Sequence, residues 1–485
     1  MSSRNPARPN VLFVVADDLG SWALGCYGNT EAVTPTIDEL ASRGVRFDNF
    51  FCTSPVCSPA RASLLSGQIP SQHGVHDWIA GAHVGARGED FLAGRSTLYD
   101  LATRSGYRCG LSGKWHLGAS DRPRDGFVHW FAHESGGGPY FGAPMLRGSE
   151  PLTVEGYLTD ALAEDAMDFL SRESDESDDP FWLHLHFTAP HSPWVDAHPT
   201  ELVEMFADCD FESCPQGPAH PWLLYHNGEV AGAVAEPRES LMGYFAAVTG
   251  LDRALGRVLG HLDELGLRES TLVFFVSDNG FNAGHHGIWG KGNGTYPQNM
   301  FDTSVRVPAI VSQPGRIRAG TSSEALISGY DLLPSFVELL DLPDDGRAAE
   351  RPGRSFAHLI GADTGTGARD GAASGEPAPE LVVVFDEYGP VRMIRTRDWK
   401  YVARNGSWPD ELYDLGADPG ETENLSGSPA HAQVRADLAA ELDRWFSRWA
   451  EPDHDGWSLP VTGLGQLAPL DTLADETFRQ LPPGP

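Results

Sequence analysis

The chain has 485 residues, enough for two domains and a sizeable core, and its 41% hydrophobic and 21% charged residues exclude wholesale disorder. Its 35 Lys+Arg against 68 Asp+Glu leave a formal charge of −33, so repulsion excludes nucleic acid and anionic membrane as partners. No apolar run approaches the roughly 20 residues that cross a bilayer. The first run ends in two aspartates and is too short for a signal-peptide core, which reads as a cytoplasmic protein.

In chain order, the near-continuous apolar run 10–16 (NVLFVVA) predicts a strand buried on both faces, and a helix follows at 36–43. A helix is expected at 157–171, a strand at 181–187 (FWLHLHF), a long helix at 239–265, a second buried strand at 270–277 (STLVFFVS) and a helix at 331–340. Strands alternating with helices imply right-handed crossovers and a mostly parallel sheet covered on both faces. One large domain spans 1–360. The Gly-, Ala- and Pro-rich stretch 361–380 reads as a linker or exposed loop. Short antiparallel strands at 381–385, 391–396 and 399–403 and a helix at 430–449 predict a small α+β subdomain over 381–450. The tail 451–485 either wraps the domain or reaches a second copy in a homo-oligomer.

The six cysteines are scattered, with no CxxC pattern, and read as free thiols, Cys209 and Cys214 included. Asp17 and Asp18 directly follow the strand 10–16, and Asp278 and Asn279 directly follow 270–277. Carboxyl ends of parallel strands form the ligand edge of such a sheet. One aspartate at a strand end is commonly a turn or cap residue. Two such pairs deliver three carboxylates and an amide to one edge, where mutual repulsion calls for a divalent cation. All-oxygen ligands favour Ca²⁺ or Mg²⁺ over Zn²⁺.

In Cys57-Ser58-Pro59-Ala60-Arg61, Pro59 suits a first helical turn, and Gly67 suits the helix end. Cys57 then sits where helix N–H groups stabilise negative charge, as an activated thiolate or as a buried structural cysteine. The run CSPARASLLSG resembles the signature of the type I sulfatases, whose core is Cys-x-Pro-x-Arg. Most members carry Ser at the fourth position, where this chain has Ala60; the Cys-Pro-Arg frame is intact. The resemblance extends through NVLFVVADDLG, Gly113–Gly118 (GKWHLG), Ala189–Pro193 (APHSP), Ser277–Gly280 (SDNG), Gly290–Gly292 (GKG), RVPAIV, RTRDWKYV and ELYDLGADPGETENL.

That resemblance implies an alkaline-phosphatase-like α/β sandwich with a central mostly parallel sheet, followed by a small C-terminal α+β subdomain with a short antiparallel sheet. It also implies that a formylglycine-generating enzyme oxidises Cys57 to formylglycine. The hydrated aldehyde would attack the sulfur of a sulfate ester, with one divalent cation, Ca²⁺ ahead of Mg²⁺, held by Asp17, Asp18, Asp278, Asn279 and residue 57. Arg61 would hold the diol, Lys114 and Lys291 the sulfate oxygens. His116 would take the proton that lets sulfate leave, and His191 would serve the leaving oxygen. Ser135 is a further sulfate contact candidate. His184 and His186 read as strand-face residues, and His285 and His286 as turn caps or mouth residues. The Gly136–Gly138 run lacks the following Lys-Ser/Thr of a phosphate-binding loop.

The alcohol half of the ester is legible only as a small or carbohydrate group, with Trp194, Trp222 and Tyr225 as candidate stacking residues. Two other readings stay open from sequence. One is a phosphatase or phosphonate monoester hydrolase of the same superfamily. The other is a non-catalytic binder of sulfated glycans, should Cys57 keep its thiol.

Overall fold

The computed structural model describes residues 8–225, 228–361, 381–383, 388–472 and 477–478. In chain order its strands are β1 (Asn10–Ala16), β2 (Val45–Phe51), β3 (Arg108–Gly113), β4 (Phe127–His133), β5 (Ala143–Arg147), β6 (Glu150–Val154), β7 (Phe181–His186) and β8 (Thr271–Ser277). There follow β9 (Asn282–Ala283), β10 (Trp289–Gly290), β11 (Arg306–Ser312), β12 (Thr321–Ser323) and β13 (Ile327–Ser328). The last four are β14 (Leu381–Val382), β15 (Val391–Thr396), β16 (Trp399–Arg404) and β17 (Glu411–Asp414).

One eleven-stranded sheet runs β12-β2-β11-β8-β1-β7-β3-β4-β5-β6, with β13 also on β2. Its centre, β8-β1-β7-β3-β4, is parallel, while β11 and β5 run antiparallel to their neighbours. Side chains alternate between two cores. Leu12, Val14 and Phe275 point to one, which is shared with the helices Leu158–Glu176 and Pro237–Glu264. Val11, Phe13, Val15 and Phe274 point to the other, which is shared with the helices Cys57–Ser66 and Leu332–Leu340. Burial on both faces explains why the strands read as unbroken apolar runs rather than alternating ones.

Register sets the position of the site. Ala16 lies opposite Ser277, so Asp17 and Asp278 leave the sheet side by side. Gly113 lies opposite His186, which brings Lys114 to the same edge. Strand β2 ends at Phe51, just before the helix Cys57–Ser66.

The second sheet, β14-β15-β16-β17, is antiparallel, and β17 was not foreseen from sequence. The helix Ala432–Trp449 packs on it through Leu438, Leu442 and Phe446. Fully buried Lys400 of β16 pins this sheet to the larger unit. It donates to the Met300 carbonyl at 2.9 Å and pairs with Asp302 at 2.5 Å and with Glu421. The linker read at 361–380 lies, apart from Gly361, outside the described residues, as do positions 384 and 385 of the strand expected there. From Glu451 the chain runs back over the large unit, with Glu451 N–H on the Ser71 carbonyl and Gln466 bridged to Ile79. All six cysteines are free thiols, and among the described residues no helix is long and apolar enough to cross a membrane.

Candidate active site

The helix Cys57–Ser66 opens at Cys57 itself, after an extended Val56 that offers no side-chain cap. Pro59 costs nothing in a first turn whose N–H groups have no helical acceptor. Gly67 closes the helix at φ 65°, its N–H on the Ser63 carbonyl at 2.9 Å, which is the left-handed cap glycine supplies without strain. Every residue of this helix is buried, so Cys57 and Arg61 are held rigidly.

Around Cys57 the strand ends converge. Asp17, Cys57 and Asp278 each offer one potential ligand atom, all within 4.8 Å of one another. Lys114, fully buried, donates to Asp17 Oδ2 at 2.5 Å. Arg61 Nε donates to Asp278 Oδ2 at 2.7 Å, and its Nη2 stands 4.0 Å from Asp17 Oδ1. Lys291 Nζ donates to Asp18 Oδ1 at 2.5 Å and lies 3.4 Å from the Cys57 sulfur. Asn279 Nδ2 also donates to Asp18 Oδ1, at 2.8 Å. Asp18 and His116 hold positive φ, 64° and 55°, the kind of backbone strain that collects at functional sites.

Electrostatics follow from burial and neighbours. Burial, with Asp278 and Asp18 adding repulsion, pushes Asp17 up to about 7 despite Lys114 and Arg61. For Asp18, burial is outweighed by Lys291, His191 and Lys114, and it sits at about 2. Burial raises the Cys57 thiol against the pull of Lys114 and Lys291, so the helix N-terminus does not by itself make a thiolate. Burial also lowers His116 well below the usual imidazole range, helped by Lys114 and His83. His191 drops to about 4, again chiefly by burial.

The histidines are oriented by carbonyls. His116 Nε2 lies 3.2 Å from the Ile79 carbonyl and must donate to it, which leaves Nδ1 with the lone pair and no partner. His191 Nδ1 donates to the Ser192 carbonyl at 2.7 Å, and its Nε2 faces Asp18 Oδ2 at 3.8 Å. The three glycines that lack a phosphate-loop pattern have a different use. A Cβ on Gly136 would enter the imidazole of His116. One on Gly137 would sit 3.1 Å from His191 Cε1, and one on Gly138 3.2 Å from His133 Cε1. Each glycine clears space for one histidine.

A cavity of about 480 Å³ opens above this cluster, with Asp18, Cys57, His116, Ser135, His191 and Lys291 among its walls. Asp18, Cys57, His116, Ser135, His191 and Lys291, all singled out from sequence, thus meet at one place, with Asp17, Arg61, Lys114, Asp278 and Asn279 buried around Cys57 and Asp18. Trp194 lines the cavity, whereas Trp222 meets Trp408 edge to face and carries Arg404 over its ring, and Tyr225 is exposed; neither is among the lining residues. His285 Nε2 donates to the Ser213 carbonyl at 2.9 Å and the ring packs on Trp22, while His286 stacks on Phe301 at 3.7 Å, so both are packing residues. Sequence reasoning took His186 for a strand-face residue; its Nδ1 lies 3.0 Å from the Lys114 carbonyl and 3.4 Å from Arg61. Its alternation along β7 carried no sign of that contact. It also missed Trp78, Phe281 and Trp289, which line the cavity from three separate segments.

This is an alkaline-phosphatase-like sandwich that gathers carboxylates, a helix-borne cysteine and two lysines at one edge, Lys114 directly after the parallel strand β3 and Lys291 directly after the short antiparallel strand β10. Residues 9–342 match the family described as Sulfatase, and residues 284–447 the one described as N-sulphoglucosamine sulphohydrolase, C-terminal. An N-acetylglucosamine-6-O-sulfatase of Bacteroides thetaiotaomicron is 25% identical, over 92% of this chain and 88% of that one. An ulvan-active sulfatase of Formosa agariphila is 30% identical (90% and 81%), and a choline-sulfatase of Rhizobium meliloti 27% (91% and 87%). A protein solved in complex with its substrate D-glucosamine-2-N,6-O-disulfate superposes with a TM-score of 0.75 at 23% identity, over 92% of this chain and 99% of that one. The chain belongs to the sulfatase family and is a sulfuric ester hydrolase.

Proposed function

We propose that the chain cleaves a sulfate monoester of a small or carbohydrate alcohol through residue 57, with Cys57 converted to formylglycine by a formylglycine-generating enzyme. One divalent cation, Ca²⁺ ahead of Mg²⁺, would be held by Asp17, Asp18, Asp278, Asn279 and residue 57. The observation that carries this reading is the buried meeting of two carboxylates, Asp17 and Asp278, with residue 57 at a helix N-terminus. The donor set fits a hard cation, because Asp17 Oδ1 and Asn279 Oδ1 are buried oxygens without a hydrogen-bond partner. Bound there, the cation would offset carboxylate repulsion and act as a Lewis acid on oxygen. Hydrated formylglycine supplies one hydroxyl to attack sulfur and a second whose deprotonation regenerates the aldehyde and expels sulfate.

The remaining roles fall to this chain's own groups. Lys291, beside the Cys57 sulfur, and Lys114 grip sulfate oxygens and offset charge that builds in the transition state. Arg61, fixed by Asp278, holds the diol. His116 is neutral near pH 7 with Nδ1 free to accept, so it takes the proton of the second hydroxyl. His191 rests neutral with its lone pair on Nε2. An arriving sulfate ester, being an anion, raises its proton affinity and equips it to protonate the leaving oxygen.

Mass spectrometry of the peptide containing residue 57, from natively produced active protein, tests the core of this. Replacement of H₂S by O is expected, and an intact thiol in active protein overturns the mechanism. Asp278→Ala is expected to abolish cation binding and turnover together, and activity that survives chelation refutes the metal role. Aryl phosphate turned over as fast as aryl sulfate would favour a phosphatase instead.

A further inference from the structure

The walls of the cavity differ sharply from its floor. At the floor lie Cys57, Asp18 and Lys291; Trp78, Ile79, Trp194, Val230, Phe281 and Trp289 give the cavity a large apolar, mostly aromatic wall, with histidines and the neutral Ser135, Ser192 and Asn293 making up the polar part. Among the described lining residues Lys291 is the only lysine or arginine, and its ammonium already faces Asp18 and residue 57. Arg61 and Lys114 are buried beside the floor, on Asp278 and Asp17, and are not among the described lining residues, so they serve the ester sulfate and not a second group higher up. A second anionic group on the substrate would shed its water against these walls and, among the described lining residues, meet no further Lys or Arg, only His83, His116 and His191, whose charged forms burial disfavours.

Trp78 is the aromatic with ring surface to offer, being half-buried, where Trp194 and Trp289 are 4% and 2% exposed. A distant segment holds it from behind. Trp78 Nε1 donates to the Gly463 carbonyl at 3.3 Å, and Gln466 N–H donates to the Trp78 carbonyl at 2.7 Å. Ala80 N–H returns a bond to the Gln466 carbonyl at 2.9 Å, and Gly465 N–H reaches Asp77 Oδ2 at 3.0 Å. Gly465 has φ 108°, and a Cβ there would stand 3.1 Å from the indole of Trp78 and strike Ala80. Only glycine lets this segment lie flat against the indole.

We propose that the substrate is the sulfate ester of an uncharged ring that stacks on Trp78 and carries no second anionic group, and that segment 461–468 positions Trp78 for it. This rests on the sulfatase reading. An aryl ring and a neutral sugar share the required chemistry, a flat face with apolar character.

Sulfate release from 4-nitrophenyl sulfate, N-acetylglucosamine 6-sulfate and glucosamine N,6-disulfate tests it. At least one single-sulfate ester should exceed the disulfate roughly tenfold in kcat/KM, and the better of the two tells aryl from sugar. Trp78→Ala should raise KM for that ester roughly tenfold with a much smaller change in kcat, and Trp78→Phe should recover most of the loss. Gly465→Val should raise KM in the same direction, while inhibition by inorganic sulfate, which needs only the floor, stays as in the parent. A disulfate turned over as well as the single esters, or an unmoved KM in Trp78→Ala, overturns the proposal. If the variants do not fold, selectivity of the parent enzyme decides. Failure to release sulfate from any ester would instead strike the sulfatase reading itself.

Discussion

Gly136 shows how much a single missing methyl group matters at this site. A Cβ there would stand 2.1 Å from His116 Nε2, and among the described residues that ring is otherwise held by the Ile79 carbonyl and by His83 at a centroid distance of 5.5 Å. Gly136→Ala should therefore rotate the imidazole out of line and lower kcat by about 10²-fold, the low end for loss of a positioned base. The melting temperature should move by only a few degrees. An unchanged kcat would remove His116 from the chemistry. The identities at the floor were legible because acidic pairs and the Cys-Pro-Arg frame are local patterns. The use of the three glycines was not, since each answers to a histidine 20 or more residues away in two of three cases and only the fold brings them face to face.

Strand ends aim the functional groups, and β3 does so through Gly113. At φ 118° it lies so close to β7 that a Cβ would collide with the His186 carbonyl, and the next residue is Lys114, whose N–H donates to that same carbonyl at 2.9 Å. Gly113→Ala should cost at least about 2 kcal/mol in urea unfolding, through φ strain and forced separation of β3 from β7. It should lower activity as well, because Lys114 moves with the strand. An unaltered urea midpoint would contradict this. Strands β1 and β8 could be placed from their unbroken Val- and Phe-rich runs, and their ends gave the acidic edge. Strand β17 and the bridge from Gln466 to Ile79 had no such periodicity, because a four-residue strand and a single paired residue are defined by their neighbours.

For the molecule as a whole, the −33 charge lies over an interior rich in neutral imidazole. His184 and His76 are each lowered to about 3, in both cases chiefly by burial. In the unfolded chain such a group titrates near 6.5. Between those values the unfolded chain binds the extra proton, so this contribution is complete above pH 6.5 and is lost as pH falls toward 3. Asp77 and Asp331 slope the other way, since burial raises both to about 7. His184, with burial alone behind its shift and its Nε2 unpartnered, isolates the effect. His184→Leu should gain about 2 kcal/mol over the parent between pH 6.5 and pH 5, at up to about 1.4 kcal/mol per pH unit. Parallel stability curves for the two proteins would refute it. Composition foretold the acidic exterior, but nothing in the order of the histidines foretold which would be sealed inside.

The strap from Val461 to Gln466 also has a place in time. Val461 packs with Val56 and Cys57 in one small cluster, yet it is translated roughly 400 residues after Cys57. At about 5–20 residues per second, some 20–80 s separate the appearance of residue 57 from the arrival of the segment that roofs it. During that interval the nascent chain keeps Cys57 open on the side that the finished protein seals. The order of synthesis thus sets the interval in which an enzyme that converts Cys57, as proposed above, would have to act before the door is shut.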